Sequence, residues 1–537
     1  MAVHYKSQSL DHLGLVASMF DELGVGEALD EQIPQDREQR KVSVGQAVKA
    51  MVLNGLGFVN QRLYLVPCFF ENKPTERLIG LGVKPEHLND DTLGRALDAL
   101  YEQDVTALYA QLSAQAARRL GLKGRVGHLG STSFHVDGEY NSAEPPEAGV
   151  IHITPGYSRD HRPDLNQVVL ALMTEHQAGL PLWMKPLSGN GEDKAGFKQA
   201  VEAHLDQMRQ AAAIDYLIAD SALCTAATLQ SLGPQKWITR VPATVKEARA
   251  AIQNASTETL TPLDERHRYQ VLESTYAGVA QRWLLVESAA ARERALTSVN
   301  RQVRKRSEQE AKAFHALCRQ RFACRPDAEQ ALQRLQATLK FTTVEQVSLE
   351  EVPYYERRGR PGAGQRPVGV HVRLTGAVAT ALAPRQALLE QKGRFTLATN
   401  ELDAQALPPA DLLAAYKGQS GVERGFRFLK DPLFLAASLF LKSPQRIMAL
   451  LMVMTLCLLV YSALEYRMRQ ALRRHQQTFP DQKGKPTATP TARWIFQCFV
   501  GIHVLIVNET ERLVLNLQDA HQRLLALLGA PYEAVYS

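Results

Sequence analysis

The sequence predicts a mixed α/β fold, with an N-terminal all-helical domain, a mixed-sheet region and a basic segment of paired strands and a long helical stretch. Three observations carry it. Apolar residues recur at helical spacing up to about residue 124. Beyond Gly124, short apolar strands and a helical segment follow one another, the order of a mixed sheet domain. Between about 243 and 392 the composition turns basic, with paired strand patterns around a long helical stretch.

Taken in order, VSVGQAVKAMVLNGL and DDTLGRALDALYEQDVTALYAQLSAQAARRLGL predict helices, with Asp91 as an N-cap. Gly121 and Gly124 end a helical domain over 1–124, expected to bind DNA, although its periodicity fits packing on the next domain equally well. RVGHLGSTSFHV, DLNQVVLALMTE and PLWMKPLSG predict three strands, FKQAVEAHLDQMRQAA a helix, and DYLIAD and WITRVP two more strands, giving a core over 125–242. Segment 243–392 holds YQVLEST paired with QRWLLVES, a basic helical stretch, and two strands around the loop ERRGRPGAGQRP. RFTLATN is strand-like and opens a segment over 393–470, with PPADLLAAYKGQSGVERGFRFLKD helical after its prolines. A polar linker, KGKPTATPTA, opens a C-terminal helical segment over 471–537.

The 537 residues suffice for several domains with real cores. A formal charge of +6 does not by itself imply nucleic acid, but its distribution says more. Ten basic residues between Ala289 and Arg325 face only Glu293, Glu308 and Glu310. A solvated helix face and a phosphate-neutralising surface both fit. The same two readings apply to Arg357, Arg358, Arg360 and Arg366 in the Gly/Pro-rich loop. Six cysteines without C-x-x-C or zinc spacing read as reduced thiols of a cytoplasmic protein. The N-terminus has no apolar signal segment. Ile447–Leu464 is nearly continuous apolar sequence, but Arg446 and Glu465 bracket it closely. It is expected to be a core helix, so no membrane partner is expected.

Phosphodiester transfer with two divalent ions needs converging carboxylates, because hard cations take oxygen ligands. Three places answer that demand: the strand around HLGSTSFHVDGEY, Asp220 at the end of DYLIAD, and Glu423. A charge at the end of a buried strand is costly without a partner, so Asp220 fits a metal ligand; it also fits a hydrogen-bonded turn. Tyr416, Gln419, Glu423 and Lys430 are spaced three, four and seven apart and can share one helical face, functional or merely solvated.

The spacing Y-x2-Q-x3-E-x6-K over 416–430 resembles the Tyr-Arg-Glu-Lys signature of bacterial insertion-sequence DDE transposases. The blocks STSFHVDGEY, ITPGYSRDHRPDLNQVVLAL, PLSGN, YLIADSAL and WITRVP resemble the catalytic core of one subgroup of them, and the likeness spans roughly residues 10 to 465. The resemblance implies an RNase H-like core interrupted by a β-rich insertion, two Mg2+ or Mn2+ ions, double-stranded DNA as partner (inverted-repeat ends and target), and a homodimer in the synaptic complex. Asp220 matches the second acid and Glu423 the third. Tyr416 and Lys430 match residues that contact DNA near the scissile phosphate, and Gln419 stands where many relatives carry Arg. The 203 positions between Asp220 and Glu423 leave room for the insertion.

The first acid is missing. Where the pattern has L-D-S-T-S-F-H, this chain reads Leu129-Gly130-Ser131-Thr132-Ser133-Phe134-His135. Asp137 lies seven residues on, about 23 Å along a strand and on the other face. Thr132 shares the face of position 130, but a neutral hydroxyl is a weak metal ligand. DNA binding is expected to survive and cleavage to be strongly impaired. The alternative is a non-catalytic, transposase-derived DNA-binding protein, a repressor or synaptic scaffold. A structural α/β protein without nucleic acid is a third reading, with salt-insensitive or absent DNA affinity as its mark.

Overall fold

The computed structural model describes residues 4–35, 40–58, 63–136, 140, 147–156, 162, 164–189, 214–355, 365–431, 441–508 and 511–537. Two compact units emerge. One gathers Met1–Arg240, Thr275–Gln281 and Thr399–Ser537; the other gathers Val241–Ser274 and Arg282–Ala398.

The first unit begins with helices α1 (Leu13–Glu22), α2 (Val25–Gln32), α3 (Val44–Leu56), α4 (Asp90–Glu102) and α5 (Val105–Arg119). Ser43 and Gln46 form a capping box that starts α3. Asn89, not Asp91, caps α4: its side chain accepts from Thr92 N–H, and Asp91 sits within the first turn, where a carboxylate suits the helix dipole. Five strands follow: β1 (Val126–His135), β2 (Asn166–Glu175), β3 (Pro181–Ser188), β4 (Tyr216–Ala219) and β5 (Lys236–Val241). Their order is β3-β2-β1-β4-β5, with β2 antiparallel to its neighbours and β4 parallel to both of its own. This is the RNase H-like mixed sheet expected. β2 is buried along almost its whole length, which explains its unbroken apolar run. Tyr109 and Ser113 of α5 donate to the carbonyls of Pro181 and Leu182, fixing the N-terminal helices to β3. The helix expected over 197–212 lies outside the described residues.

The second unit holds β6 (His267–Tyr276), β7 (Val279–Ser288), the long α6 (Ala289–Cys318), α7 (Arg325–Gln336), the hairpin β8 (Thr342–Tyr354) and β9 (Gly369–Thr380), α8 (Leu382–Lys392) and β10 (Arg394–Thr399). Phe314, Leu317, Leu332 and Leu374 form one of its cores. Buried Glu310 organises the junction of α6 and β8. It accepts from the Lys340 and Phe341 amides, the Thr342 hydroxyl and Arg306. Arg294, Arg301, Arg304, Lys305 and Lys312 are exposed along α6. Arg357, Arg358 and Arg360 lie outside the described residues, and Arg366 is exposed.

Back in the first unit, the stretch expected as one helix is two: α9 (Pro409–Lys417) and α10 (Ser420–Leu429), with Gly418 and Gln419 between them. α11 (Pro444–Arg474) is long and apolar enough to cross a membrane by composition, yet 89% of its apolar window is buried inside the protein. It packs on α1, α3, α4, α5 and β3, as a core helix does. The chain termini correct the all-helical expectation for both ends. Tyr5–Ser9, His503–Val507 and Glu511–Leu515 form a three-stranded antiparallel sheet. YKSQS has no apolar alternation, so its strand depends on the partner it pairs with rather than on its own pattern.

Candidate active site

The site is built on three adjacent parallel strands, at the C-terminal ends of β4 and β5 and midway along β1. The register pairs Leu129 of β1 with Ala219 of β4, and Ala219 with Thr239 of β5. One residue further along, Gly130, Asp220 and Arg240 fall into one row, with neighbouring strands about 4.8 Å apart. Asp220 leaves the sheet in a tight turn. Its Oδ1 accepts from Ala222 N–H at 2.9 Å, and its carbonyl accepts from the Thr239 hydroxyl at 2.7 Å. The side chain remains exposed. The hydrogen-bonded turn expected of Asp220 is present, made by one carboxylate oxygen.

The third carboxylate comes from α10. Glu423 is exposed in its first turn, where the helix dipole favours negative charge. The same helix covers position 130: a Cβ there would stand 2.9 Å from Val422 Cγ1 and 3.1 Å from Phe426 Cε2. Burial holds the Tyr416 phenol above its ordinary value; Asp220 and Glu423 push it the same way, while Arg240, hydrogen-bonded to it, opposes them. Tyr416 thus senses both carboxylates and the arginine.

Gln419 is committed to the protein. Its Nε2 donates to Leu129 O at 2.9 Å, and its Oε1 lies 3.3 Å from His128 Nδ1. His128 Nε2 in turn lies 2.9 Å from His176 Nδ1. Burial, then the neighbouring imidazole, push the His128 value down to about 4, against the smaller upward pull of Gln419. The elbow passes so close to this pair that a Cβ on Gly418 would stand 2.4 Å from His176 Nδ1. A side chain at 418 would not fit that approach, which glycine allows. Tyr416, Gln419 and Glu423 therefore sit on two helices and an elbow rather than on one face. Lys430 ends α10 with its ammonium 5.8 Å from the Phe134 ring centroid. Asp137 lies outside the described residues, and Thr132 is buried.

Arg240, His128 and His176 were not singled out by the sequence. The available signal for Arg240 was its place in WITRVP, one residue from the end of a strand parallel to the one ending in Asp220.

Among the described residues, no three His, Cys, Asp or Glu side chains group closely enough to hold a metal ion. Asp220 and Glu423 are the exposed carboxylates that act on Tyr416, and their oxygens are the ligand type that magnesium takes. They do not supply the further carboxylate that two ions would share, and the space for it is occupied by Val422 and Phe426.

Residues 131–460 match the family model described as Transposase DDE domain, and residues 5–114 match one described as a domain of unknown function (DUF4277). No curated protein matches the chain. Among solved structures, a piggyBac transposase synaptic complex with hairpin DNA is similar at 9% identity and a TM-score of 0.37. That match covers 93% of this chain and 82% of the other, a likeness too loose to compare sites.

Proposed function

Because this chain belongs to the Transposase DDE domain family, we propose that it is a DNA transposase whose acidic centre is laid out on positions 130, 220 and 423 and lacks its first carboxylate. The observation that supports this reading is the parallel register, which sets Gly130 beside Asp220, with Val422 and Phe426 of the helix that carries Glu423 packed against position 130. In this reading the chain binds double-stranded DNA at the inverted-repeat ends of its element and pairs two ends as a homodimer. It works in the bacterial cytoplasm.

The residues then have separable tasks. Asp220 and Glu423 hold divalent metal, Mg2+ or Mn2+, through their exposed oxygens. When bound, the metal supplies Lewis acidity at the phosphoryl group and an activated oxygen nucleophile. Arg240 and Lys430 offer positive charge to the phosphates beside an otherwise repulsive acidic centre. Tyr416 stays protonated at neutral pH, because its phenol is held above the ordinary value, and its hydroxyl can hydrogen-bond a phosphate oxygen. Gln419 acts through the strand, holding the elbow of α10 to Leu129. Arg357, Arg358, Arg360 and the exposed basic residues of α6 are further backbone contacts.

Cleavage is impaired as written. Losing a carboxylate shared by two ions removes several kcal/mol of transition-state stabilisation, with each ~1.4 kcal/mol worth tenfold in rate. The crowding at Gly130 favours a second reading, a non-catalytic DNA-binding protein that acts as a repressor or synaptic scaffold. Binding and cleavage of labelled element-end DNA in Mg2+ and Mn2+ test both. End binding with little or no cutting supports an impaired or silent transposase. Absence of salt-dependent DNA binding contradicts both readings.

A further inference from the structure

We propose that a basic groove between the start of α3 and the start of α4 takes the sugar–phosphate backbone of duplex DNA, an inference that rests on the transposase reading. The groove, about 820 Å3, lies wholly in the segment matched to the domain of unknown function. Arg40, Lys41, Lys84 and Arg95 line it, against one carboxylate among the described residues, Glu86. All four cations are exposed, and none of their charged groups has an ion-pair or hydrogen-bond partner among the described residues. Elsewhere in the same unit, cations are commonly paired: Lys49 with Asp21, Arg119 with Glu27, Arg446 with Asp98 and Arg467 with Glu22. Four cations against one carboxylate on one concavity leave a net positive charge that favours an anion.

The helix terminus adds nothing here. Its amides are already used: Gly45 N–H by Asp30, Val44 N–H by Gln35 and Gln46 N–H by Ser43. The side-chain cations carry the site. Their chemistry favours a polyanion. Small-molecule sites are mostly apolar with a few polar groups, and protein interfaces are depleted in lysine at their centres. Arginine and lysine side chains together along an open groove match phosphate contacts, which position DNA without reading its bases.

The test uses the full chain and two fluorescein-labelled duplexes, one of element-end sequence and one scrambled duplex of equal length, across a salt series. The groove variant is Arg40→Ala/Lys41→Ala/Lys84→Ala/Arg95→Ala. A charge-matched control is Arg473→Ala/Arg474→Ala/Lys483→Ala/Lys485→Ala, at exposed positions elsewhere in the same unit. A charge-preserving variant, Arg40→Lys/Arg95→Lys, guards against simple misfolding. The groove variant is expected to lose about tenfold or more in affinity for both duplexes, with a log–log salt slope shallower by about 0.9 for each phosphate it no longer neutralises. The charge-preserving variant keeps the wild-type slope, and the control loses less than the groove variant. A groove variant that matches either wild type or the control overturns the proposal while leaving the transposase reading intact. Failure of the wild-type chain to bind either duplex overturns that reading and the groove with it.

Discussion

Gly130 lies directly beneath Val422: a Cβ at position 130 would approach Val422 Cγ1 to 2.9 Å. Restoring a carboxylate there therefore means moving the helix that carries Glu423, or turning the valine. Gly130→Asp is expected to destabilise the fold by about 1–3 kcal/mol, the usual range for overpacking. Val422→Ala in the same chain relieves part of that cost. The two changes should couple by about 0.5 kcal/mol or more in a double-mutant cycle followed by urea unfolding. Strict additivity contradicts the contact.

His128 gives the fold a pH dependence of defined sign. Its folded value is pushed down to about 4, below its unfolded value near 6.5. Between those values the unfolded chain binds the extra proton, so stability is lost as pH falls from about 6.5 to 4. Replacing His128 by Gln should flatten the stability profile in that window by an amount on the order of 2–3 kcal/mol. Denaturant unfolding at several pH values reads it, and an unchanged slope contradicts the assignment.

Gln419 is expected to matter through position rather than affinity. Gln419→Ala leaves Leu129 O without its side-chain donor and should cost about 1–3 kcal/mol in stability. End binding should fall little, whereas any residual cleavage falls with the placement of Glu423. A large drop in DNA affinity without loss of stability would instead make Gln419 a direct phosphate contact.

Arg240 and Tyr416 separate charge from hydrogen bonding in one cluster. Arg240→Ala should make the salt slope of end binding shallower by about 0.9, the value for one phosphate fewer neutralised. Tyr416→Phe removes no charge and should leave that slope unchanged. Equal slopes for Arg240→Ala and wild type would place Arg240 in the protein's own packing.

Much of this fold was legible in the sequence because the sheet is built from apolar runs. QVVLAL, YLIA and WITRV read as buried strands, and they are. The break at Gly418 was not legible. The spacing of Tyr416, Gln419 and Glu423 obeys a helical period straight through it, and the imidazoles that crowd Gly418, His128 and His176, lie far away in sequence. Arg240 was missed for a similar cause. Its place beside Asp220 comes from the parallel register of two strands, which no local pattern encodes. The strand at Tyr5–Ser9 forms only against residues nearly 500 positions away. What the sequence carried about the site was chemistry: an acid at a strand end, an acid on a helix, and a glycine where the resemblance calls for an acid.

The most direct measurement is metal-dependent cleavage of labelled element-end DNA by the wild-type chain, Gly130→Asp, and Gly130→Asp combined with Asp220→Asn, in Mg2+ and in Mn2+. The expected result is little or no cutting by the chain as written, a gain of cutting on Gly130→Asp, and its loss again when Asp220 is neutralised. Equal cutting by the wild-type chain and Gly130→Asp would contradict the claim that position 130 is the missing third of the acidic centre.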